Sequence, residues 1–319
     1  MSFSHSDVEV KHHFGEFLRQ RKEAKFSLLI TGKTGVGKSS LVNALVGAKV
    51  AKEGHKKVAG TPEVASYMVT KEKVNIRIWD SPGLEDGTGN DEKFLAEIES
   101  KITEKLDLVI FCLKMDDTRL NNNDTRTLKK LTETFGKNLW KNAVIALTFA
   151  NKVEHPAWED KKAYFLHDLS TWREVIQNFL REKLKLDPEL VQSLPLVPTG
   201  YHRKPAVLPS GTKWLPRFWT ACYHVARKST AFSLYRINVA RIRFPGIEEV
   251  AAISGGSEVA PATPGVDDSE IAPIDLDKEE QESFWYTTWE AFKEYCLSFG
   301  VVLNVINTLG IAVLKSFAR

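Results

Sequence analysis

Gly32-Lys33-Thr34-Gly35-Val36-Gly37-Lys38-Ser39 decides how this chain is read. The stretch fits the spacing GxxxxGK[ST] and stands between a short apolar run, residues 26–30, and a helical pattern over 39–46, the setting in which that spacing forms a phosphate cradle. Glycines let successive backbone N–H groups converge on phosphate oxygens, and the positive end of the following helix points to the same place. The residues expected to line a bound nucleotide are therefore Gly32, Lys33, Thr34, Gly35, Val36, Gly37, Lys38, Ser39 and Ser40. Lys38 is expected to bridge the β- and γ-phosphates and Ser39 to hold Mg²⁺. A glycine turn that merely caps a helix is the plainer reading of the same residues.

Downstream, residues 63–70 and 73–79 both have strand character and only two residues separate them, which predicts an antiparallel hairpin. Further apolar strands are predicted at 108–113, 143–149 and 194–197, with helices over 91–105, 125–135 and 163–183 between them. Strands this apolar need cover on both faces. The expected fold is a doubly wound α/β sheet, mostly parallel with one antiparallel edge strand. Phe165, Leu169, Trp172, Ile176, Phe179 and Leu184 recur at helical spacing and are read as a stripe facing the core.

Mg²⁺ needs an acidic contact at a neighbouring strand end, and Asp80-Ser81-Pro82-Gly83 supplies a DxxG sequence where the hairpin finishes. Asp80 is expected to reach the metal through water and Gly83 to give its N–H to the γ-phosphate. The glycine-containing loop after it can rearrange when that phosphate leaves. Thr61 is the only threonine between the cradle helix and the hairpin and is the expected switch residue, with its hydroxyl on Mg²⁺. A plain loop threonine is the alternative. Lys38, Thr61 and Gly83 form the expected catalytic set, and Ser39, Thr61 and Asp80 the expected metal set.

The base is expected to be read at Asn151-Lys152-Val153-Glu154. A carboxylate two residues after Lys152 can accept the N1–H and N2–H₂ donors that guanine has and adenine lacks. Asn151 would brace the loop, and the backbone of Thr199 and Gly200 would approach the base oxygen. A solvated charged turn is the bland alternative.

The 319 residues are 43% hydrophobic and 27% charged, which excludes a wholly disordered chain and a multi-span membrane protein. A net charge of +3 gives no bulk attraction for nucleic acid, and no nucleic-acid partner is expected. Three scattered cysteines fit a reducing, cytoplasmic setting. The predicted organisation is a lead-in helix over 1–24, a nucleotide domain over 25–230, a basic and apolar extension over 231–251, a disordered acidic linker over 252–282, and an apolar C-terminal helix over 283–319. Within that last segment residues 296–314 approach the ~20 needed to span a bilayer, but Asn304, Asn307 and Thr308 interrupt them. The segment is read as a contact for protein, with a membrane surface as the second reading.

The ordered set Gly32 to Ser39, Thr61, Asp80 to Gly83 and Asn151 to Glu154 resembles the translation-factor class of P-loop GTPases. Within that class it is most similar to the septin-like group that contains the GIMAP and Toc GTPases, over about residues 27–201. The resemblance departs at Phe149, where Toc receptors carry His, and at Glu154, where the general motif has Asp. It implies a G domain that binds GTP, GDP and Mg²⁺, forms a homodimer across the nucleotide face, and often works at a membrane. The expected activity is slow GTP hydrolysis stimulated by a dimer or another partner. A nucleotide-binding scaffold without turnover and an ATP-using P-loop enzyme are the alternatives.

Overall fold

The structure, a computed structural model, describes residues 24–51, 65–71, 73–80, 100–102, 105–200, 207–226, 233–235, 237–238, 241–243, 273–284 and 286–288. A six-stranded sheet organises them. Its strands are β1 (Ala24–Thr31), β2 (Ala65–Lys71), β3 (Val74–Asp80), β4 (Leu108–Lys114), β5 (Ala143–Thr148) and β6 (Leu196–Pro198), in the order β2-β3-β1-β4-β5-β6. All pairings are parallel except that of β2 with β3. β5 is buried throughout and β4 up to Lys114, which is why these strands are unbroken apolar runs rather than alternating ones.

Helices flank the sheet among the described residues. They are α1 (Lys38–Val46), α2 (Asn122–Phe135), α3 (Lys161–Glu182), α4 (Pro188–Ser193) and α5 (Trp214–Val225). Asn121, Asp160 and Asp187 cap α2, α3 and α4, each side chain accepting two backbone N–H groups of the first turn. The Asn121 cap starts α2 at 122 rather than 125. Leu194 closes α4 through its N–H to Leu190 O, so the last strand begins at 196 rather than 194. On α3, Phe165, Trp172 and Ile176 are buried, as is Leu184 just beyond it, while Leu169 and Phe179 pack against the core at its margin. The helix predicted over 91–105 falls almost wholly outside the described residues, as do the lead-in segment 1–23 and the tail 289–319.

The chain beyond 230 differs from its prediction. Leu234, Tyr235 and Ile237 belong to the same core as the sheet, so the folded unit does not end at 230. Residues 273–282, predicted as the end of a disordered linker, are also structured. Strand β7 (Ile242–Arg243) pairs in parallel with β8 (Ile274–Asp275), and residues 278–284 are helical. The physical reason is a set of apolar side chains that the acidic composition hides: Ile274, Leu276 and Phe284 are buried, and Phe284 stacks on Tyr223 of α5 at 5.2 Å between ring centroids. Among the described residues no helix is long and apolar enough to cross a membrane.

Glu280 sits at the start of this C-terminal helix in a reciprocal cap. Its carboxylate accepts from Asp277 N at 2.8 Å, while Glu280 N donates to Asp277 Oδ1 at 2.9 Å. Burial pushes the carboxyl up from 4.5 to about 7. The folded state thus holds the proton that the unfolded chain gives up, and stability falls as pH rises from about 4.5 through about 7. Glu280→Gln keeps the acceptor without the charge. It is expected to raise the melting temperature at pH 8 and leave it nearly unchanged at pH 4, as thermal unfolding followed by circular dichroism will show.

Candidate nucleotide site

The cradle begins where β1 ends. Gly32 has φ +139°, and a Cβ added to it would lie 2.4 Å from the carbonyl oxygen of Cys112 in β4, so the loop can leave the sheet here only as glycine. Gly35 and Gly37 also have positive φ, and Gly37 is the N-cap of α1. This helix carries no side-chain cap and no acidic residue in its first turn. Its first N–H groups are therefore not satisfied by a side-chain cap, and no carboxylate in that turn would repel an incoming phosphate. Lys38 folds back across the loop, its Nζ donating to Gly32 O at 3.0 Å and Lys33 O at 3.1 Å. Ser39 and Ser40 follow on the first turn, half-buried.

Asp80 ends β3 in register with Ile30 of β1, which brings it beside the cradle. It is 5% exposed, and its Oδ1 is buried with no hydrogen-bond partner. Burial raises its pKa, and the Lys38 ammonium nearby opposes that rise. A buried carboxylate oxygen left unpaired in a native fold is costly. A hydrated Mg²⁺ satisfies both the charge and the orphaned oxygen, so the residues present fit the metal. Thr61 and Gly83 lie outside the described residues.

The opposite corner is built from strand ends. Thr148 Oγ1 donates to Leu113 O at 3.0 Å, and the chain then turns at Phe149, with φ 59° and ψ 16°, into a single 3₁₀ turn, Ala150–Lys152. This turn ends β5 one residue earlier than predicted. Ala150 N donates to Thr199 O at 3.0 Å and Thr199 N to Leu147 O at 2.8 Å, so Asn151 and Lys152 share one corner with Thr199 and Gly200. Gly200 is pressed against the Trp214 indole, whose Nε1 would be 2.5 Å from a Cβ. Glu154 does not turn inward. It is exposed, and its carboxylate meets Lys161 Nζ at 3.1 Å.

Between the two corners lies Phe149, which carries no binding role in the sequence prediction. The Nζ atoms of Lys114 and Lys152 stand 5.1 and 5.0 Å from its ring centroid, and its edge faces Gly37 of the cradle. Lys114 also pairs with Asp116 at 3.2 Å, and Lys33 pairs with Asp117. Lys114 gives a weak signal in the sequence, as a single charge ending an apolar strand. Nothing there marks the left-handed turn at Phe149.

A parallel sheet with one antiparallel edge, a glycine cradle at the end of its central strand and an acidic residue ending the next strand define a P-loop G domain. Residues 26–188 match the model of the AIG1 family, and the chain belongs to that family. It is 28% identical over 211 residues to the translocase of chloroplast 34 homolog of Chlamydomonas reinhardtii, covering 62% of this chain and 53% of that protein. This chain thus spans about half the length of that relative. Among solved structures it is similar to Toc33 from Arabidopsis thaliana in complex with GDP and Mg²⁺, with a TM-score of 0.55, 21% identity, and 70% and 92% of the two chains covered. It is likewise similar to a structure of the chloroplast translocon components atToc33 and psToc159, whose subject is that dimerization is important for their GTPase activity, with a TM-score of 0.56, 22% identity, and 69% and 90% covered. At these identities the structural likenesses show the fold.

Proposed function

We propose that this chain is a guanine-nucleotide-binding, Mg²⁺-dependent GTPase that acts as a switch or assembly module. The observation that carries the reading is the presence together of Lys38, folded over an uncapped helix start, and a buried Asp80 whose Oδ1 has no hydrogen-bond partner. Lys38 would exchange its two loop carbonyls for phosphate oxygens. Gly32 to Gly37 would supply converging N–H groups, while Ser39, Thr61 and Asp80 would hold Mg²⁺ and its water. Bound Mg²⁺ would neutralise charge that builds up on the phosphates during transfer. Gly83 would donate its N–H to the γ-phosphate.

For the base, Asn151, Lys152, Thr199 and Gly200 already form one corner, and Glu154 would leave Lys161 to meet the guanine edge. Titrating GTP, GDP and ATP against the purified chain with Mg²⁺ present tests the reading. GTP and GDP are expected to bind and ATP to bind far more weakly. In Glu154→Ala the preference for GTP over ATP should fall about tenfold, near the lower end of the 1.5–3 kcal/mol of a charged hydrogen bond because the side chain is solvated. Equal losses for the two nucleotides would exclude Glu154 from base reading.

Hydrolysis by a lone chain should be slow. Leu84 follows the DxxG sequence where Ras-type GTPases place a glutamine that orients water, and a leucine side chain cannot hydrogen-bond to it. Thr34 also puts a side chain on the route by which an arginine finger enters. A second copy facing the nucleotide would supply the missing donors, a reading supported by the dimer dependence stated for atToc33 and psToc159. The motif set further supports placing the chain with septin-like G domains, and we assign residues 296–314 to protein contact or a membrane surface. Turnover per molecule is expected to rise with protein concentration across the micromolar range. A flat, fast rate would show that one chain carries its own catalytic group.

A further inference from the structure

The carboxyl end of α1 is held by two cations. Lys71 of β2 donates to Val46 O at 3.1 Å, and Arg241, only 8% exposed, donates from Nη1 to Ala44 O at 3.0 Å and Asn238 Oδ1 at 2.8 Å. The Arg241 side chain lies so close over Gly47, the left-handed cap of the helix, that a Cβ there would fall 2.3 Å from Nη1. Helix carbonyls carry partial negative charge, so a buried guanidinium at this end complements them as phosphate complements the opposite end.

Arg241 is also fixed in the C-terminal layer. Its carbonyl accepts Ile274 N at 2.9 Å, β8 leads on to the helix at 278–284, and Thr288 Oγ1 meets Tyr223 OH of α5 at 2.7 Å. One helix therefore joins the phosphate cradle to the C-terminal segment. We propose that Arg241 is a positioning residue through which residues 273–288 control nucleotide release. This inference rests on the guanine-nucleotide reading above. Nucleotide and clasp both bind the ordered position of α1, so each strengthens the other, and whatever lifts residues 273–288 from α5 speeds release.

The test is the rate at which a fluorescent GDP analogue leaves the full chain, in Mg²⁺, when chased with unlabelled GDP. Arg241→Met is expected to speed release about tenfold, Arg241→Lys to restore most of the wild-type rate, and Thr288→Val, which removes the hydroxyl partner of Tyr223, to speed it about threefold. Thr132→Ala, which removes the acceptor of the Trp140 indole on α2, is expected to lower the melting temperature and leave release unchanged. Release unaltered in Arg241→Met, or accelerated equally by Thr132→Ala, overturns the inference. If Arg241→Met does not fold, hydrogen exchange of the wild-type chain decides: GDP with Mg²⁺ should slow exchange at 241–243 and 273–284, and unchanged exchange overturns it. A wild-type chain that takes up no GDP overturns both this inference and the guanine reading, whereas normal uptake with clasp-independent release overturns this inference alone.

Discussion

Gly32→Ala is expected to lose nucleotide binding and to destabilise the fold by about 3 kcal/mol or more. Two costs add. At φ +139° an alanine is strained by about 1–3 kcal/mol, and its methyl would have to displace the backbone oxygen of Cys112, 2.4 Å away, together with Cys112 Cβ and Val36 Cγ2 at 3.2 Å. The oxygen belongs to a central strand and has no room to give. Gly35→Ala separates the two effects, because Gly35 has φ +79° with nothing within 4 Å of an added Cβ. It should cost only the backbone strain, about 1–2 kcal/mol. Denaturant midpoints of the two variants measure the difference, and equal midpoints would mean that contact with β4 does not set the loop.

Lys38→Ala is expected to keep the fold and weaken GTP and GDP at least a hundredfold, about 3 kcal/mol, the loss of two charge-assisted hydrogen bonds at 1.5–3 kcal/mol each. The side chain is only partly buried and donates to two loop carbonyls rather than packing in the core, so the melting temperature should change little. A second consequence follows at Asp80. Lys38 is the positive charge that opposes the burial-driven rise of that carboxyl, and without it the rise is larger. Mg²⁺ affinity should then fall off at a higher pH on acidification than in the wild type. Calorimetric titration at several pH values checks both effects, and unchanged GTP affinity would exclude Lys38 from the phosphate site.

β4 and β5 were legible because they are buried on both faces, and a strand such as 108–113 then announces itself as a run with no polar residue. The cradle was legible for a different reason: glycine spacing is dictated by backbone geometry, which the chain cannot supply in another way. The base corner was less so. Phe149 takes a left-handed conformation that no residue type marks, and the Glu154 carboxylate lies on Lys161, a partner seven residues on that spacing does not single out. The misread linker shows the limit of composition. Ile274, Leu276 and Phe284 are too few to outweigh the surrounding carboxylates in an average, but three well-placed apolar side chains suffice to seat a segment on an existing core.

β1 lies at the middle of the sheet although it is the first strand among the described residues. A hairpin such as β2 with β3 can close from neighbouring residues, but β1 needs β3 on one edge and β4 on the other, and β4 ends at Lys114. During synthesis the strand that carries the cradle therefore waits, apolar and with open edges, until more than eighty further residues have left the ribosome. Fragments that stop short of Lys114 should aggregate where those that extend through Thr288 remain in solution, and the interval between is when a nascent chain would most need a chaperone.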